Sequence, residues 1–204
     1  MSRNICITSI EGQTGFLIAE LLLTDEEFKK KVDRVTGLAF DPNHAKAKEL
    51  TGLGAVIVPH KPGREREVVE TLKKTGCDTV CLVPPARADK FDIAAELSSA
   101  AKKAGVNNVL LISAAGCDYA ERDKQPRLRE FIDLETLVLS SKGEADTPLG
   151  NSPCVIRWVV SDRWDMQARD LMGRKGWLLC RESTALLTTG PKRGLTSFAN
   201  WRKP

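Results

Sequence analysis

Short runs of β-branched and apolar residues alternate along the chain with longer stretches of helical periodicity, from Asn4 as far as Trp158. A strand that is apolar on both of its faces must be covered on both sides, so this rhythm predicts a parallel sheet with helices on each face. Strands are expected at 4–9 (NICITS), 34–40 (RVTGLAF), 55–58, 79–83, 108–113 (NVLLIS) and 154–158. Helical patterns fill 14–24, 43–51, 64–75, 89–104 and 128–140, several of them closed by a glycine such as Gly52, Gly76 or Gly105. Six strands with five crossovers define a doubly wound α/β sheet. The commonest order for such a sheet is 3-2-1-4-5-6, with a ligand crevice where the carboxyl ends of strands one and four diverge. Residues 1–160 are therefore expected to form the sheet domain. Residues 161–204 are less periodic and are expected to be a short substrate-side segment and tail.

Composition narrows what this domain does. At 204 residues the chain can bury one full core, and its 31 Lys and Arg against 27 Asp and Glu are interspersed, giving +4 without a basic block. Neither a nucleic-acid arm nor a polybasic membrane anchor is implied. The most apolar run, Phe16 to Leu23, is interrupted by Glu20 and is far shorter than the roughly 18 to 20 residues a bilayer span requires. A soluble, cytoplasmic protein is expected. Cys6, Cys77, Cys81, Cys117, Cys154 and Cys180 are scattered without close pairing, and His44 and His60 stand apart, so they read as buried free thiols and no metal site is expected.

The chemistry lies at the end of the first strand, in Thr8-Ser9-Ile10-Glu11-Gly12-Gln13-Thr14-Gly15. A Rossmann-like turn uses glycine there because the backbone must bend sharply and approach a pyrophosphate without a Cβ in the way. The following helix start directs free N–H groups and a partial positive charge at the anion. Gly12 and Gly15 fit that role, with Ser9, Gln13 and Thr14 lining the same turn. Two glycines also suit any tight turn; their place between the first strand and the first helix is what points to a cofactor.

The turn resembles that of NmrA-like proteins, an atypical short-chain dehydrogenase/reductase group whose first turn usually reads T-G-A-T-G-x-T-G. Here it is TSIEGQTG, with Ser9 in place of the first glycine and Glu11 bringing a carboxylate to the turn. The similarity continues through Asp41-Pro42-Asn43, Leu53-Gly54-Ala55, Cys81-Leu82-Val83-Pro84-Pro85 and Val109-Leu110-Leu111-Ile112-Ser113, spanning roughly residues 4 to 170. Leu82 to Pro85 is most similar to fungal reductases of the agroclavine and festuclavine dehydrogenase type. The resemblance implies an NAD or NADP cofactor and an oxidoreductase acting on a small metabolite, of the kind met in fungal secondary metabolism. It equally implies a non-catalytic alternative, a redox sensor that reports cofactor state to a protein partner. Members of the group commonly run longer, so part of the substrate-covering region is expected to be missing.

Cofactor choice is normally written at the end of strand two, by an acidic residue for a ribose hydroxyl or an Arg for a 2′-phosphate. Members of the resembled group often carry that Arg and use NADPH. This chain has Phe40 followed by Asp41, with His44, Lys46 and Lys48 as the nearby cations, so both cofactors stay open. Asp41 is equally read as the cap of the next helix. Val83, Pro84 and Pro85 are expected to wall the crevice after strand four, and Ser113 to face its nicotinamide end. The Tyr-x-x-x-Lys pair of conventional dehydrogenases is absent: Tyr119 is followed by Asp123 and Lys124. No catalytic residue is assigned. Glu135 matches a glutamate common in the resembled group but is expected to be an exposed helix carboxylate, and Trp158, Trp164, Trp177 and Trp201 are expected to pack a core near the substrate side.

Overall fold

The computed structural model describes residues 3–140 and 154–158. Its elements run β1 (Arg3–Thr8), α1 (Gln13–Thr24), α2 (Glu26–Lys29), β2 (Val32–Ala39), α3 (Ala45–Gly52), β3 (Val56–Pro59), α4 (Glu65–Thr75), β4 (Thr79–Leu82), α5 (Lys90–Ala104), β5 (Asn108–Ala114), α6 (Pro126–Ser140) and β6 (Cys154–Trp158). The strands form one sheet in the order β3-β2-β1-β4-β5-β6, with every neighbouring pair parallel. This is the order expected from the alternation of apolar runs. The segment 161–204, with Trp164, Trp177, Cys180 and Trp201, lies outside the described residues.

Alternation along the strands divides the core into two layers. Cys6, Leu38, Val80, Leu82 and Leu111 face one side, where they meet Val68 and Leu72 of α4, Ile93 and Leu97 of α5, and Leu134 and Val138 of α6. Ile7, Val35, Ala39, Cys81 and Ile112 face the other, against Phe16 and Ala19 of α1 and Leu50 of α3. Adjacent residues such as Cys6 and Ile7, or Val80 and Cys81, fall in opposite layers, as the period of two in a pleated strand requires. Both faces are thereby buried, which is why the strands read as continuous apolar runs.

Local chemistry ends the helices where glycine allows it. Gly76 and Gly105 adopt left-handed φ values of 63° and 77° and close α4 and α5. The short α2 was not expected from periodicity. It exists because the Asp25 carboxylate accepts from the backbone N–H groups of Glu27 and Phe28, an N-cap that the sequence Asp25-Glu26-Glu27 carries in plain form.

The thiols Cys6, Cys77 and Cys81 are free of disulfides. Burial pushes the Cys81 thiol up to about 12. Cys6 is also raised, chiefly by its hydrogen bond with Cys77 and then by burial, so neither is a nucleophile at neutral pH. Among the described residues, no helix is long and apolar enough to cross a membrane.

Candidate functional site

The turn between β1 and α1 is built by a reversal at Ser9. Its φ is +49°, and it is the one non-glycine residue with positive φ among the described residues. Such a conformation costs an L-residue roughly 1–2 kcal/mol. Serine thus holds a left-handed bend at the position where the resembled motif has its first glycine. Gly12 N then donates to Ser9 O at 2.9 Å, and Phe16 N donates to Gly12 O at 2.9 Å, which starts α1. A Cβ on Gly15 would stand 2.5 Å from Ser9 O and 2.9 Å from Ile10 Cα, and one on Gly12 would stand 3.1 Å from Ser9 O. Gly15 is therefore required by close backbone approach, and Gly12 sits in a tight but less exacting contact.

No side chain caps α1, and its first turn carries no acidic residue. Gly12 and Gln13 are exposed, Thr14 is half-buried and Gly15 is buried. The partial positive charge of the helix start thus faces an accessible turn. The Ser9 hydroxyl oxygen is buried without a hydrogen-bond partner among the described residues.

Glu11 turns away from this hollow. Its Oε1 accepts from Phe40 N at 2.7 Å and from Asp41 N at 3.4 Å, tying the turn to the carboxyl end of β2. Asp41 Oδ1 accepts from Asn43 N at 2.9 Å, one turn ahead of α3. The helix cap itself is His44, whose Nδ1 accepts from Lys46 N, which corrects the reading of Asp41 as the cap. Phe40 lies between His60, with ring centroids 5.3 Å apart, and the Arg87 guanidinium, 5.4 Å from its ring. Lys46 Nζ donates to Gln13 Oε1 at 2.7 Å, placing an ammonium beside the start of α1.

His60 is almost wholly buried, and its Nε2 stands 4.0 Å from Glu96 Oε1. Burial holds its pKa below the usual 6.5, against the opposing pull of Glu96 and Glu11. A histidine kept neutral by folding binds fewer protons in the native state than when unfolded, so stability is full above about pH 6.5 and declines as pH falls below it. In urea unfolding between pH 7.5 and 5.5, His60→Gln is expected to lose less stability than wild type; equal losses would remove His60 from the acid response.

Where β1 and β4 part, Thr8 bridges them. Its Oγ1 accepts from Val83 N at 2.8 Å and donates to Val83 O at 3.2 Å, and both residues are buried. Pro84 and Pro85 follow, and Arg87 N donates to Pro85 O at 2.8 Å, so the loop folds back along the crevice edge. Thr8→Val keeps the shape but strands the Val83 N–H, at a cost of about 1–3 kcal/mol in urea unfolding; a loss below about 0.5 kcal/mol would show that the bridge is not needed.

Beyond β5, Ser113 is buried and its hydroxyl donates to Glu135 Oε1 at 2.6 Å, while Cys117 Sγ stands 3.7 Å from the same oxygen. Glu135 is 1% exposed, which corrects the expectation of a solvent-facing carboxylate. Periodicity could have shown this, because Glu135 neighbours Leu134 on the face of α6 that carries Val138. Tyr119 is 85% exposed, in the short 3-10 turn Cys117–Tyr119, and Lys124 pairs instead with Glu121. The structure therefore brings together Ser9, Gly12, Gln13, Thr14, Gly15, Phe40 and Asp41 on one turn and the adjoining strand end. Val83, Pro84 and Pro85 border the next strand end, and Ser113 is turned inward. Sequence reading passed over Thr8, Arg87 and the direction of Glu11.

The arrangement is that of a Rossmann-like α/β fold, as found in NAD(P)-binding reductases. No protein-family model matches the chain. It is similar to an NmrA-like family domain-containing protein of Dictyostelium discoideum, at 26% identity over 140 residues that cover 66% of this chain and 44% of that one. Among solved structures it is similar to the Escherichia coli NADPH-dependent quinone oxidoreductase complexed with NADPH, with TM-score 0.57, 22% identity and coverage of 75% of this chain and 48% of that one. The Citrobacter triphenylmethane reductase complexed with NADP(H) gives TM-score 0.59 at 16% identity, covering 76% and 49%. Leucoanthocyanidin reductase of Vitis vinifera, as its binary complex with NADPH, gives 0.56 at 19%, covering 76% and 47%. The chain spans about half the length of these proteins.

Proposed function

We propose that the chain binds a nicotinamide dinucleotide, NADP or NAD, across the β1–α1 turn and serves an NmrA-like reductase acting on a small metabolite. The observation that carries this reading is the turn itself. Ser9 holds a left-handed backbone without glycine, and Gly12 and Gly15 let the start of α1 pack directly against the Ser9 main chain, which leaves an uncapped helix start at an accessible turn. Folding tolerates that strain where something is gained from an open main chain facing an anion. The coenzyme supplies the hydride. The backbone of Gly12 to Gly15 would hold its diphosphate, the end of β2 its adenosine ribose, and Val83, Pro84 and Pro85 would wall the crevice toward its nicotinamide.

Several features extend the reading. The similarity of Leu82 to Pro85 to fungal alkaloid reductases favours an apolar substrate of secondary-metabolite type. Free thiols at Cys6, Cys77 and Cys81 are in keeping with a cytoplasmic setting. An iminium-like substrate would accept hydride without a protein acid, which accords with the lack of a Tyr/Lys pair. Substrate-dependent NAD(P)H oxidation over a panel of ketones, enones and imines tests the enzyme; no turnover with any of them would overturn it.

The second reading, a redox sensor without turnover, is favoured by the exposure of Tyr119 and by the pairing of Lys124 with Glu121. It requires capture of a protein partner that changes when nucleotide is added. Capture identical with and without nucleotide would exclude it.

A further inference from the structure

We propose that Glu11 sets the choice between coenzymes: its carboxylate, pinned at the end of β2 beside Asp41, disfavours the 2′-phosphate of NADPH and leaves NADH as the preferred partner. The proposal rests on the dinucleotide reading above and adds to it a residue from the glycine turn, rather than from β2, as the selector.

In a doubly wound sheet the adenosine ribose lies over the carboxyl end of β2, and the charge found there decides whether a 2′-hydroxyl or a 2′-phosphate is accepted. That end is occupied here by two carboxylates. Glu11 reaches it from the turn and is held by two backbone N–H groups, at 2.7 Å from Phe40 and 3.4 Å from Asp41. Asp41 is exposed beside it, with Oδ1 taken by Asn43 N. The position immediately before Asp41 is Phe40, so it brings no cation.

Three of the cationic side chains nearby are already engaged. Arg87, over the Phe40 ring, is bound by both oxygens of Asp89, at 2.8 and 2.9 Å. Lys46 donates to Gln13 at the start of α1, which places it toward the diphosphate. His44 spends Nδ1 on capping α3. A 2′-phosphate, which carries more than one negative charge at neutral pH, would therefore meet two fixed carboxylates at the strand end itself, with Lys46 and Lys48 of α3 as the lysines that could offset them. A ribose hydroxyl meets no such repulsion. Because the two N–H groups hold Glu11 in place, its charge cannot swing away when the phosphate arrives, as a free surface carboxylate would.

Glutamine at position 11 keeps an oxygen to accept from Phe40 N and removes only the charge. The test is calorimetric titration of NADH and NADPH into the full chain, as wild type, Glu11→Gln and Asp41→Asn, each first shown to unfold cooperatively. Wild type is expected to bind NADH at least tenfold more tightly than NADPH. Glu11→Gln should cut that ratio at least fivefold, through tighter NADPH binding. A wild-type preference for NADPH would overturn the proposal, as would parallel weakening of both nucleotides in Glu11→Gln, which is the mark of a purely structural tie. A ratio that moves with Asp41→Asn and not with Glu11→Gln would overturn it by placing the choice at Asp41. Binding of neither nucleotide to wild type would remove the underlying dinucleotide reading instead.

Discussion

Gly15→Ala is expected to lower affinity for NAD(P)H by at least tenfold and to destabilise the fold by about 1–3 kcal/mol, the usual range for forcing an extra methyl into a packed site. The added Cβ would lie 2.5 Å from Ser9 O and 2.9 Å from Ile10 Cα. Both are main-chain atoms, so no rotamer change relieves the contact. Either α1 withdraws from β1 or Ser9 leaves its left-handed conformation, and in each case the N–H groups of Gln13 and Thr14 no longer converge with the turn. Urea unfolding and nucleotide titration of the same variant measure the two effects together. A Gly15→Ala protein with wild-type affinity would show that the turn has room the structure does not give it.

Gly37→Ala is expected to cost a similar amount in stability through a different contact. Gly37 lies in β2, and a Cβ there would meet the Ile10 side chain, at 2.3 Å from Cδ1 and 2.7 Å from Cγ2. Ile10 is fully buried and follows Ser9 directly, so the glycine in β2 makes the space into which the turn is anchored. The atoms in the way belong to a flexible side chain, which allows a decisive check. Ile10→Val alone is expected to cost about 0.5–1.5 kcal/mol. Combined with Gly37→Ala, it should cost less than the sum of the two by at least about 0.5 kcal/mol, the coupling expected of residues in contact. Additive losses in urea unfolding would mean that Ile10 and Gly37 do not share that space.

The fold was legible because its strands are apolar on both faces and α4 and α5 close on glycine, and the order then followed from the commonest doubly wound arrangement with right-handed crossovers. The glycine turn was legible for the same reason: Gly12 and Gly15 stand where a strand gives way to a helix. What the sequence could not disclose was direction. Glu11 read as a carboxylate brought to the turn, and only the backbone N–H groups of Phe40 and Asp41, 29 and 30 residues away, show where it points. Ser9 read as a departure from the motif, whereas its φ preserves the bend at a cost in strain. Strand ends moved by one or two residues for similar reasons: β1 stops at Thr8 because Ser9 reverses, and β2 begins at Val32. Thr8 was passed over because a threonine closing a strand looks ordinary, and its bridge to Val83 depends on β4, 75 residues away. Glu135 was placed outside because charge outweighed its neighbours Leu134 and Val138 on the helix face.

A diphosphate seated on the main chain from Ser9 to Gly15 would perturb those amides first. Amide chemical-shift mapping of the nitrogen-15-labelled chain with NADH measures this residue by residue. Saturable shifts are expected, largest at Gly12, Gln13, Thr14 and Gly15, with smaller ones at Phe40 and Asp41. Shifts confined to another part of the sheet, or none at millimolar coenzyme, would contradict it.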